Sequence, residues 1–198
     1  QRLDGVVDPH QLWICTNQQY ADVVCKKLQL PSSQILGEPE GRDTLQAVGF
    51  TANVLHKLDP DAVFAVLTAD HIIRPQEEFA RCLEVGFSLV EEDNSLFVTF
   101  GITPTFAATG YGYVELGDPF GDHARCCTRF VEKPDLQTAE EYIASGNFAW
   151  NSGMFVFRAS IYLEELTRQR PEIEKSVRET FSTSTRDIDF VRPNEKSF

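Results

Sequence analysis

Residues 61–71, DAVFAVLTADH, run from an apolar segment straight into an acid and a histidine. Residues 61–68 are almost continuously apolar, which predicts a strand covered on both faces, the central strand of a sheet. In open α/β sheets, ligands bind in the crevice beyond the carboxyl end of such a strand. Asp70 falls there, and its carboxylate is a hard-oxygen ligand suited to Mg²⁺, which keeps waters and takes phosphate oxygens as further partners. The plain alternative is that Asp70 caps the turn before the next helix.

Upstream of this stretch, residues 12–16 form a short apolar run, and Tyr20, Val23, Val24 and Leu28 then recur at helical spacing. Residues 34–36 predict another strand. Leu45, Val48, Ala52 and Leu55 follow as the apolar face of a helix started by Asp43 or Thr44. Downstream of Asp70, Phe79, Leu83, Gly86 and Val90 mark the inward face of a further helix, and residues 95–100 a strand. This alternation predicts βαβ units in an α/β fold with a mixed, mostly parallel sheet. The pattern then changes to strands at 111–116, 125–132 and 154–158, with one helix between the last two. Thr138 and Glu141 suit a capping box for that helix, and Gly146 its end. Beyond Ile161 the chain reads as helical through residues 171–181, then turns polar.

Several short segments carry chemistry, each with an ordinary explanation beside it. EPEGRDT (38–44) ends at a helix N-terminus, where Glu38, Arg42 and Thr44 suit a nucleotide's base, ribose or phosphate; a surface loop with an N-cap looks the same. In TGYGY (109–113), Gly110 and Gly112 permit close backbone approach to a ligand, or a tight hairpin. Glu132 and Lys133 close a strand with a hydroxyl acceptor and a point charge for phosphate, or with two solvated charges. In WNSGM (150–154), Asn151 offers an amide ahead of an apolar strand, or an Asx turn. His71 and His123 lack partners at metal or triad spacing. The chain contains no G-x-S-x-G, P-loop or G-x-G-x-x-G, so serine hydrolase, P-loop kinase and classical dinucleotide-binding readings lack support.

The totals narrow the classes. A length of 198 residues suits one domain. A formal charge of -12 argues against a nucleic-acid partner, so any phosphate must be held locally. The five cysteines are odd in number and form no C-x-x-C pair, which predicts buried thiols in a reducing cytoplasm. No apolar stretch approaches the roughly 20 residues that span a bilayer, so no membrane partner is expected.

Taken in order, EPEGRDT (38–44), LTADHII (67–73), FGITPT (100–105), TGYGYVEL (109–116), FVEKPD (130–135) and WNSGMFVFRA (150–159) resemble the mannose-1-phosphate guanylyltransferases. The resemblance implies a Rossmann-like three-layer α/β/α nucleotidyltransferase core. It implies transfer of GMP from GTP to mannose 1-phosphate, with Mg²⁺ as cofactor, while a homo-oligomer stays open. By this resemblance Asp70 holds the metal, and Glu38, Arg42 and Thr44 line the nucleotide. Gly110 and Gly112 admit the sugar, Glu132 and Asn151 bind its hydroxyls, and Lys133, with Asp70 one of the two catalytic candidates, holds its phosphate.

The likeness has gaps. The family's Gly-rich triphosphate loop has no counterpart before Leu12, and its second metal-binding Asp none before Phe198. Residues 1–198 are therefore expected to be an incomplete domain, inactive alone. Asp43, Leu45 and Gln46 also replace the family's Asn, Ala and Pro. A nucleotidyltransferase for another sugar or base, or an inactive nucleotide-sugar-binding relative, are the alternatives.

Overall fold

Strands and helices alternate along the chain in the order β1 (Ile14–Asn17), α1 (Ala21–Leu28), β2 (Ile35–Glu38), α2 (Thr44–Leu58), β3 (Val63–Val66), α3 (Gln76–Glu92) and β4 (Phe97–Ile102). Then follow β5 (Tyr113–Phe120), β6 (Ala124–Val131), α4 (Leu136–Ser145), β7 (Phe148–Arg158), α5 (Ala159–Gln169), α6 (Pro171–Thr183), β8 (Thr185–Asp187) and β9 (Phe190–Arg192). The structure is a computed structural model and describes residues 3, 5–40, 44–187 and 190–192. The chain forms two compact units, residues 1–64 with 157–198, and residues 65–156. One sheet has the order β1-β2-β9-β8; the other runs β3-β7-β5-β6, with β4 also paired to β7. The α/β class is the one the apolar periodicity implies, and the pairings are mixed: β1 with β2 is parallel, β5 with β6 and β7 antiparallel.

In the first unit the doubly covered strand is β2. Ile35 and Leu36, 0% and 1% exposed, are consecutive in a strand and so face opposite ways. Ile35 packs with Ala21 and Leu30, Leu36 with Phe50 and Val54, against which Trp13 and Phe181 also lie. The expectation for residues 61–68 is corrected accordingly. β3 is four residues long, every one half-buried, and stands at the end of its sheet order beside β7. An apolar run signals contact on its faces, not rank within a sheet. Helix α2 approaches α5 and α6 closely at Gly49, where a Cβ would lie 3.2 Å from Leu166 Cδ2 and 3.3 Å from Val177 Cγ2. The Tyr162 hydroxyl donates to Leu45 O at 3.0 Å and ties α5 to the start of α2.

In the second unit, α3 buries Phe79, Leu83, Gly86 and Val90, the face its periodicity predicts. The helix α4 begins earlier than its expected capping box. Asp135 is the N-cap, its Oδ1 accepting from Thr138 N at 2.8 Å. Thr138 is therefore inside the first turn, and Ala139 is fully buried. Gly146, at φ 68°, ends this helix as expected. β7 runs eleven residues, so Asn151 lies inside the strand rather than ahead of it. The cysteines also depart from expectation: Cys15, Cys126 and Cys127 are exposed, Cys25 and Cys82 half-buried. Among the described residues no helix is long and apolar enough to cross a membrane.

Candidate functional site

The antiparallel pairing of β5 with β7 sets Tyr113 opposite Trp150, so the next residues out, Gly112 and Asn151, meet. Asn151 N donates to Gly112 O at 2.8 Å. A Cβ on Gly112 would lie 3.4 Å from Val131 O and 3.7 Å from Asn151 Cβ. Bare backbone thus stands directly beside the Asn151 side chain. Asn151 Oδ1 accepts from Gly153 N at 3.0 Å, which leaves the amide Nδ2 as a donor for other partners. Around Gly110 a Cβ would meet no heavy atom within 4 Å, so the backbone is open to approach. On the other side of β5, Tyr113 pairs with Val131. Continuing that register by one residue brings Glu132 level with Gly112, and both Glu132 and Lys133 are exposed.

Asp70 lies in the bend that follows β3, its side chain 85% exposed, with Oδ1 4.0 Å from His71 Nε2. The same segment touches β7. Gly153 adopts φ 68°, a conformation that favours glycine, and a Cβ there would lie 3.7 Å from Thr68 Cγ2. Asp70 is two residues beyond this contact and Asn151 two residues before it. Among the described residues no group of three or more His, Cys, Asp or Glu side chains stands together to hold a metal. A single exposed carboxylate fits Mg²⁺ only in the manner of a site completed by waters and substrate phosphates.

Glu38 and Thr44 belong to the first unit. Glu38 closes β2, half-buried, and its Oε1 accepts from Cys15 Sγ at 3.2 Å. The Cys15 sulfur is desolvated although the residue as a whole is exposed. Desolvation first, and the Glu38 carboxylate second, push this thiol far above its ordinary range and keep it protonated. Thr44 is exposed at the first position of α2. Arg42, with Gly41 and Asp43, lies outside the described residues.

One group of side chains escaped the sequence reading. Trp150, 9% exposed, meets the ring of Phe106 edge-on at 4.9 Å between centroids and that of Tyr111 at 5.2 Å. The signal was present in the alternation of Tyr111, Gly112 and Tyr113, aromatic on one face and bare on the other. Only the loop carrying Phe106 had no readable partner.

Residues 6–196 match the nucleotidyl transferase family. A mannose-1-phosphate guanylyltransferase of Salmonella montevideo is 41% identical over 206 aligned positions, covering 100% of this chain and 42% of the relative. The xanthan biosynthesis protein XanB of Xanthomonas campestris is 40% identical over 195, covering 97% and 41%. The chain thus spans about two fifths of the length of these curated relatives. Among solved structures, a mannose-6-phosphate isomerase from Helicobacter pylori superposes with a TM-score of 0.82 at 27% identity, covering 99% of this chain and 75% of that one. A mannose-1-phosphate geranyltransferase from Thermus thermophilus gives 0.82 at 28%, covering 93% and 53%.

Proposed function

The chain belongs to the nucleotidyl transferase family, and on that premise we propose that the protein transfers GMP from GTP to mannose 1-phosphate, giving GDP-mannose and pyrophosphate. The observation that carries this reading is the meeting of Gly112 and Asn151 beside the open backbone of Gly110. Bare backbone next to an amide donor with no partner among the described residues suits a hydroxyl-rich ring, because it lets polar groups reach the ligand without side chains in the way. The names of the relatives supply mannose and guanine.

In this reading Glu132 accepts from the sugar hydroxyls and Asn151 Nδ2 donates to them. Lys133 meets the sugar phosphate as a point charge. Glu38, Arg42 and Thr44 lie along the nucleotide. The phosphate oxygen of the sugar is already anionic at neutral pH, so attack on the α-phosphorus in line needs no general base from the protein. The chain's contribution is positioning. Asp70 would hold Mg²⁺, which when bound supplies charge stabilisation to the phosphates. The reading includes no nucleic-acid or membrane partner and assigns the protein to the cytoplasm, in keeping with five free thiols and a charge of -12.

The full-length protein, given GTP, mannose 1-phosphate and Mg²⁺, should release pyrophosphate. No turnover would overturn the proposal, and turnover only with ATP or UTP would reassign the base. Asp70→Asn should abolish the Mg²⁺-dependent rate; a near-normal rate would remove Asp70 from the site.

A further inference from the structure

We propose that Tyr111 and Phe106 are positioning residues: packed against Trp150 on one face of β7, they hold the glycine backbone of residues 110–112 against Asn151 on the other. The inference rests on the assignment of Gly110, Gly112 and Asn151 to the sugar phosphate and adds what keeps them in place.

A segment with two glycines carries more backbone freedom than one of ordinary residues and has few side chains to anchor it. Gly110 itself touches nothing through its Cβ position. Trp150 and Asn151 are consecutive in a strand and project to opposite faces. Trp150 joins Ala108, Tyr113 and Ala139 in the core beneath α4, while Asn151 stands beside Gly112. Tyr111 reaches Trp150 at 5.2 Å, and Phe106 closes the triangle at 4.9 Å from Trp150 and 6.3 Å from Tyr111. Rings therefore grip the ligand-facing backbone from its aromatic face.

The loop between them is tied at two further points. Tyr113 Oη donates to Ala108 O at 2.9 Å and Ala108 N to Phe106 O at 3.0 Å. The indole Nε1 of Trp150 is buried with no hydrogen-bond partner among the described residues. Its ring is held by packing alone, so removing a neighbouring ring releases it. Tyr111 and Phe106 are 49% and 56% exposed, and the Tyr111 hydroxyl has no partner among the described residues. The ring of Tyr111 carries the contact, not its oxygen.

The test compares Tyr111→Ala, Tyr111→Phe and Phe106→Ala in the full-length protein. Amide exchange at Asn151, whose N–H is bonded to Gly112 O, should accelerate by about tenfold in both alanine variants and stay unchanged in Tyr111→Phe. The KM for mannose 1-phosphate should rise by roughly tenfold in the alanine variants, with the KM for GTP unmoved. Unchanged exchange in both alanine variants overturns the proposal. So does a loss in Tyr111→Phe equal to that in Tyr111→Ala, which would make the hydroxyl a direct ligand. If exchange accelerates but mannose 1-phosphate is not a substrate, the positioning role stands and the assigned activity falls. Should Tyr111→Ala fail to fold, Phe106→Ala carries the comparison.

Discussion

At Gly101 a Cβ would lie 2.7 Å from the Cβ of Ala149, whereas at Gly110 it would meet no heavy atom within 4 Å. Packing requires the first glycine; among the described residues no contact requires the second. Gly101→Ala should therefore destabilise the protein by about 1–3 kcal/mol, since the neighbouring strand cannot easily give way, and a urea midpoint would show it. Gly110→Ala should change stability by less than about 0.5 kcal/mol yet raise the KM for mannose 1-phosphate roughly tenfold, because a methyl group would occupy the approach to the backbone. Equal effects of the two substitutions on stability would contradict this division. The sequence shows both glycines alike. Only the neighbour across the strand separates them.

Among the elements, α4 shows how a boundary is misread. Asp135 and Thr138 are both good N-cap residues, and local spacing alone favours Thr138 with Glu141. The helix starts at Leu136 because the Asp135 carboxylate caps the Thr138 amide, which adds a turn ahead of the buried Ala139 and of Tyr142, packed against Tyr113 and Phe148. The Thr138 amide, followed by its hydroxyl, holds the Asp135 carboxyl below its usual pKa. A depressed carboxylate stabilises the fold above its unfolded pKa of about 3.9 and loses that contribution as pH falls through the lower folded value. Asp135→Ala should thus lower the Tm by about 2–4 °C at pH 7, with the gap from the parent narrowing below about pH 4. Asp135→Asn keeps an oxygen acceptor and should retain most of the Tm without that acid dependence. A thermal scan at pH 7 and pH 3 distinguishes the two variants.

For the whole molecule, the division into two units places one tryptophan in each, Trp13 in the first and Trp150 in the second. Phe50, 1% exposed, sits in the cluster against which Trp13 packs. Phe50→Ala should cost about 3–5 kcal/mol, read as a lower denaturant midpoint in the fluorescence of a Trp150→Phe background, where Trp13 alone reports. An unchanged midpoint would mean that β2 is not the centre of that unit's stability. Although α2 buries Phe50 and Val54 beyond the face its periodicity marks, the α/β class, the face of α3, the end of α4 at Gly146 and the family are legible in the sequence. Those depend on periodicity, on local backbone preference and on the order of short motifs, all of which are properties of neighbours along the chain. Tertiary structure alone decided that β2 rather than residues 61–68 is covered on both faces, that Gly112 lies against Asn151, and that Trp150 gathers Phe106 and Tyr111 behind them. These are contacts between segments distant in sequence, and burial of shared apolar surface, not local pattern, selects them.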